Sequence, residues 1–150
     1  MSTYLGLGSN LGDKRRNING ALGLISERVG EIRTLSGFYE TQSWGYESAE
    51  SYLNIVVEVE TGLSPTALLA VTQAIESDSG RQLKTINGQY HDRTIDIDIL
   101  LYDDLIINTP DLTIPHPLMH QRDFVLQPLT EIAPHLIHPI LGKSIAELRR

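Results

Sequence analysis

Cysteine is absent from this 150-residue chain, which excludes disulfides and thiolate-held metals. The absence suits a reducing compartment, and a cytoplasmic location is expected. No apolar run approaches the roughly 20 residues a membrane-spanning helix needs, and the N-terminus lacks a signal-peptide pattern, so no membrane partner is expected. Positive charge is also scarce. Twelve Lys and Arg face nineteen Asp and Glu, a net charge of −7. Such a surface argues against nonspecific nucleic-acid binding, which needs a basic face. No repeat, low-complexity tract or linker interrupts residues 1–150. A single domain with a sizeable core is therefore expected, with a monomer favoured.

The shortage of cations is sharpest in the middle of the chain. Between Thr34 and Gly142 only Arg81, Lys84, Arg93 and Arg122 stand against fifteen acids. If this acidic stretch binds an anion, those four residues are nearly its whole supply of counter-charge. Aromatics are few as well, yet Phe38, Tyr39, Trp44, Tyr46 and Tyr52 fall in one short segment. A loop carrying Trp44 and Tyr46 either covers the core or offers flat faces to a planar ligand. Asn54, just beyond Tyr52, has the paired donors and acceptors that read the edge of a heterocycle.

Periodicity supplies the elements. Tyr4 to Gly8 reads as a strand, and Asn10 or Asp13 can cap a helix over 13–29 whose stripe is Ile18, Leu22, Ile25 and Val29, with Gly30 as its stop. Further strands are expected over 32–39 and 52–60, separated by a loop. Ser64-Pro65 opens a second helix, with Leu68, Leu69, Thr72, Ile75 and Glu76 on its inner stripe, ending near Gly80. Residues 81–92 are polar and without period, which reads as a long mobile loop. A strand through Asp96 and Asp98 then turns at Asp103-Asp104 into a hairpin partner over 105–108. Prolines break the tail into loops and short helices near 122–131 and 144–150. The order βαββαβ is that of a ferredoxin-like α+β sandwich: an antiparallel sheet with both helices on one face, plus the C-terminal hairpin and short helices.

The most informative run is Arg93-Thr94-Ile95-Asp96-Ile97-Asp98. On a strand, Asp96 and Asp98 project together while the isoleucines face the core. Two carboxylates about 6–7 Å apart repel by roughly 2–3 kcal/mol at an effective dielectric near 20. A hard cation such as Mg²⁺, shared with phosphate oxygens, relieves that repulsion; a solvated acidic face is the plainer alternative. Two carboxylates and a few cations suggest a polyphosphate ligand. Gly6-Leu7-Gly8-Ser9-Asn10-Leu11-Gly12 lacks the Gly-Lys-Ser/Thr ending of a Walker loop and the third glycine of the dinucleotide fingerprint, so it reads as a turn. His116 sits between Pro115 and Pro117 on a stiff backbone, with Arg122 and Phe124 following; an imidazole and a guanidinium there suit a polyanion.

Taken together, Gly8-Ser9-Asn10, Phe38-Tyr39-x-Thr41, Tyr52-x-Asn54, Arg93-x-x-Asp96-x-Asp98-Ile99-Leu100 and Pro115-His116 resemble, in order and spacing, the 6-hydroxymethyl-7,8-dihydropterin pyrophosphokinases of folate biosynthesis. The resemblance spans essentially the full length. It implies transfer of pyrophosphate from ATP, the co-substrate, to the pterin hydroxymethyl group, with release of AMP. It implies that Asp96 and Asp98 are ligands of two Mg²⁺ ions. The pterin is expected between Tyr52 and Phe124, read by Asn54 and Thr41, with Gln42 and Trp44 on the same loop. ATP is expected to meet Gln73, Glu76, Arg93, Ile99, His116 and Arg122, with Arg81, Lys84 and Arg93 near the phosphates. The four isolated cations all fall on family positions.

The chain also departs from the family pattern. Tyr90-His91-Asp92 stands where many members have Trp-Gly-Pro, Leu83 and Gln89 occupy a region usually richer in arginine, and Gln42 and Ser43 replace prolines. These changes bear on rate and loop behaviour. The competing expectation is a pterin- or nucleotide-binding module on the same fold with weakened turnover.

Overall fold

The computed structural model describes residues 1–41, 51–80 and 94–149. In strand β1 (Ser2–Ser9), Leu5 and Leu7 point to one side of the sheet and Gly6 and Gly8 to the other. The side chain of Asp13 accepts from the Arg16 N–H at 3.1 Å and starts helix α1 (Lys14–Arg28), which buries Ile18, Ala21 and Ile25. The helix ends at the C-cap Val29, just before Gly30 as expected, and Gly30 also opens β2 (Gly30–Leu35). A Cβ there would lie 1.9 Å from the carbonyl oxygen of Glu60, so the close approach of the two strands requires glycine.

The single strand expected over 32–39 is two strands, β2 and β3 (Tyr39–Thr41), both paired with β4 (Tyr52–Thr61). Ser36 makes the break. Its Oγ accepts the Val56 N–H and its own N–H donates to the Val56 carbonyl, each at 2.9 Å. Ser64 Oγ accepts the Ala67 N–H at 3.2 Å and caps helix α2 (Pro65–Gly80), whose Leu68, Thr72 and Ile75 are buried. The acidic strand is β5 (Asp96–Tyr102).

These strands form one antiparallel sheet in the order β2-β4-β1-β5, with β3 added on β4. Helices α1 and α2 pack on one face, where Leu5, Leu7, Ile55, Val57, Ile97 and Ile99 meet Ile18, Ile25, Leu68 and Ile75. Each such side chain contributes about 1.5–3 kcal/mol by leaving water. On the opposite face a second cluster joins Val56, Leu100 and Leu101 to Met119, Val125, Leu126, Leu129 and Ile145. The last four come from helices α3 (Asp123–Ile132) and α4 (Ile145–Arg149). A bulge in β5 serves both layers. Leu5 faces Ile99 and Tyr4 faces Leu101, so Leu100 is an extra residue and Tyr102 returns to the first core.

The stretch 105–108 does not fold back on the acidic strand as expected. Asp103 exchanges two hydrogen bonds with Ser2, prolonging the β1 pairing, and β6 (Ile107–Asn108) pairs with β7 (Thr113–Ile114). Ser144 and Glu147 form a reciprocal capping box at α4. Residues 81–92, expected as a loop, lie outside the described residues. Among those described, no helix is long and apolar enough to cross a membrane.

Candidate active site

The registers of three neighbouring strands build the site. Asp96 pairs with Gly8 and Asp98 with Gly6, and the same glycines pair on their other side with Asn54 and Val56. Paired residues in a sheet share a face, so two carboxylates on β5 look across bare backbone toward an amide on β4. A Cβ on Gly8 would stand 3.0 Å from Asn54 Oδ1 and 3.7 Å from Tyr52 Cδ1. The missing side chains therefore leave a trough. It opens into a cavity of about 610 Å³ lined by Thr41, Tyr52, Asn54, Asp96 and Asp98 from the sheet, and by Gln121, Arg122, Asp123, Phe124 and Gln127 at the start of α3.

Each wall is held in place. Asn54 is buried, and its Nδ2 donates to Thr41 Oγ1 at 3.1 Å, which orients the amide. Phe124 is 37% exposed, and the Arg122 guanidinium carbon lies 5.6 Å from its ring centroid. Glu131 of α3 accepts from the Gly37 N–H at 3.0 Å and from the Tyr39 hydroxyl at 2.6 Å, clasping α3 to β3. That hydrogen bond also raises the Tyr39 pKa. Lys14 Nζ donates to the Ser51 carbonyl at 3.1 Å, and Ser51 Oγ donates to Glu40 Oε2 at 2.9 Å.

His116 does not line the cavity, but its ring feels the charges of Arg122 and Asp96, which do. Burial, and then the charge of Arg122, push its pKa below the usual 6.5, while Asp96 pulls the other way. Its Nδ1 accepts from the Leu118 N–H at 3.2 Å, so the neutral ring carries its proton on Nε2, as a donor. Elsewhere on β5, Glu76 Oε2 accepts the Ile97 N–H at 2.7 Å.

Seven expected site residues thus meet in one cavity: Thr41, Tyr52, Asn54, Asp96, Asp98, Arg122 and Phe124. Gln73 and Glu76 lie on α2 and do not line it. Ile99 packs in the core beneath the sheet, so its main chain on the edge strand is what a ligand can reach. Gln42, Trp44, Arg81, Lys84 and Arg93 lie outside the described residues. Gly6 and Gly8, expected within the first strand and found there, floor the cavity; the alternation of β1 carries that signal only once its partners are known. Gln121, Asp123 and Gln127 had no signal.

The match to the model of the 7,8-dihydro-6-hydroxymethylpterin-pyrophosphokinase family covers residues 4–134. The chain belongs to this family. A 2-amino-4-hydroxy-6-hydroxymethyldihydropteridine pyrophosphokinase from Porphyromonas gingivalis is 51% identical over 137 residues, covering 91% of this chain and 92% of that one. One of the same name from Aquifex aeolicus is 42% identical over 148 residues, covering 99% and 90%. The wild-type HPPK-DHPS structure from Plasmodium falciparum shares the fold, with a TM-score of 0.79 at 19% identity. That likeness covers 99% of this chain but 44% of the solved one, so this pyrophosphokinase spans less than half of that protein.

Proposed function

We propose that the glycine-floored cavity is where this pyrophosphokinase transfers the pyrophosphate of ATP to the hydroxymethyl group of 6-hydroxymethyl-7,8-dihydropterin. The observation that carries the reading is the shared face of Asp96, Asp98 and Asn54 across Gly6 and Gly8. A flat pterin fits between Tyr52 and Phe124, and the amide of Asn54, fixed by Thr41, reads its edge. Asp96 and Asp98 then stand beside the hydroxymethyl group. Gln73, Glu76 and the Ile99 main chain, on α2 and the open edge of β5, form the nucleotide side, and Gln42 and Trp44 belong to the pterin side. The two substrates approach the acid pair from opposite sides.

The carboxylate oxygens of Asp96 and Asp98 suit magnesium, which is held by one or two carboxylates together with phosphate oxygens and water. Two such ions are expected there, and they would supply neutralisation of the triphosphate and a lowered pKa for the hydroxymethyl group. The hydroxymethyl oxygen bonds to the β-phosphorus, the bond from that phosphorus to the oxygen retained by AMP breaks, and the hydroxyl proton is lost. Neutral His116 offers its Nε2–H to a phosphate oxygen, and Arg122 adds fixed positive charge, as Arg81, Lys84 and Arg93 do. Positioning and charge neutralisation carry most of the rate. We also read the β2-β4-β1-β5 order, with α1 and α2 on one face, as ferredoxin-like, and residues 1–150 as one cytoplasmic, monomeric domain.

The test is a product assay with ATP, Mg²⁺ and the pterin that resolves AMP from ADP. Pterin-dependent AMP is expected; ADP would mean single-phosphate transfer and overturn the reading.

A further inference from the structure

One of the two peptide groups between Asp96 and Asp98 is held from outside the sheet. Strand β5 is the edge of the order β2-β4-β1-β5, so every second N–H of β5 points away from β1, where no strand lies among the described residues. The Ile97 N–H is one of these, and it donates to Glu76 Oε2 of α2 at 2.7 Å. Hydrogen bonds to ionised carboxylates are shorter and stronger than neutral ones, and this length is in the charge-assisted range. The nitrogen belongs to the peptide plane that joins Asp96 to Ile97. Holding that plane restrains ψ of Asp96 and φ of Ile97, two of the torsions that set the angle between the two carboxylates. Ile97 anchors the same point from the other direction, because its side chain is buried beneath the sheet.

We infer that Glu76 is a positioning residue for the acid pair: its carboxylate clamps the Ile97 amide so that Asp96 and Asp98 present their oxygens in one geometry. The inference rests on the reading of Asp96 and Asp98 as magnesium ligands, and it gives Glu76 a task separate from contact with the nucleotide. It also explains why an acid on α2 is tolerated close to two others. Oxygen as an acceptor is needed at this point, and glutamine supplies one without the charge.

The experiment compares Glu76→Ala, Glu76→Gln and Asp98→Ala with the parent chain. Calorimetry reads binding of a non-hydrolysable ATP analogue as a function of Mg²⁺, and amide hydrogen exchange reads Ile97. Outer-shell partners of metal ligands typically contribute about 10–100-fold to metal affinity. Glu76→Ala is expected to raise the Mg²⁺ midpoint by roughly tenfold and to speed exchange at Ile97, with pterin affinity unchanged. Glu76→Gln is expected to restore both within about twofold. Equal loss in Ala and Gln with Ile97 exchange unchanged would overturn the inference, leaving Glu76 as a nucleotide contact. Parent-like behaviour of Glu76→Ala in both readouts would overturn it too. An unaltered Mg²⁺ midpoint in Asp98→Ala would instead reject the metal assignment, and Ile97 exchange would still judge the clamp.

Discussion

The two halves of the sheet face opposite α1 and α2 are built from the same strands and end up with opposite characters. In one half Leu100 and Leu101 are buried under Leu126, Leu129 and Ile145, with Val56 at the border of the cavity. In the other half Gly6, Gly8, Asn54, Asp96 and Asp98 leave an open cavity. Only a residue or two along each strand separates the halves. Apolar side chains draw a helix onto the sheet because covering them removes apolar area from water. Glycines offer nothing to cover, and carboxylates oppose being covered. The helix therefore stops at Asp123, and its first turn becomes the wall of the site.

The comparison can be broken by substitution, and the largest effect is expected at the acids. Asp96→Ala or Asp98→Ala should lower turnover by about three orders of magnitude or more while pterin affinity stays within about twofold. AMP formation and pterin calorimetry check this, and near-parent turnover in both variants would reject their role. In the roofed half the loss should be of stability. Leu129→Ala removes a fully buried side chain and should cost about 2–5 kcal/mol in urea unfolding, with turnover retained where the chain is folded. A fall in turnover without destabilisation would blur the division. Tyr52→Ala should weaken pterin binding by roughly tenfold through lost stacking, leaving ATP binding alone; unchanged pterin affinity would remove Tyr52 from the wall.

The smallest effect is one of pH on stability. His138, in the turn that precedes α4, is buried, and burial followed by the nearby His120 lowers its pKa from 6.5. Below pH 6.5 the unfolded chain takes up this proton before the folded chain does, so stability falls as pH drops through that value toward the folded-state pKa. His116 acts in the same direction for the same reason, burial first and Arg122 second. Unfolding midpoints between pH 7.5 and 5.5 should therefore decline less in His138→Gln than in the parent chain. Equal slopes would remove His138 from the account.

Much of this was legible in the chain itself. Helical spacing located α1, Ser64-Pro65 located α2, and the alternation around Asp96 and Asp98 placed both acids on one face. Those are local signals, set within a few residues. What stayed hidden depends on partners distant in sequence. Ser36 splits a strand through its bonds to Val56, and Ile107 chooses Ile114 over the acidic strand. Gly6 and Gly8 become a floor only because the register sets them between β4 and β5. The Ile97 clamp needs the knowledge that β5 is an edge. Family likeness reached Asn54 and Phe124 ahead of any physical signal for their meeting.

The most direct test of the division is to map amide shifts on adding the pterin and then a magnesium-bound, non-hydrolysable ATP analogue. The account predicts that the pterin perturbs Gly6, Gly8, Tyr52, Asn54 and Phe124, that the nucleotide adds Asp96 to Asp98 and α2 near Glu76, and that Leu129 and Ile145 stay still. Perturbations centred on the roofed half, or on the α1 face of the sheet, would contradict it.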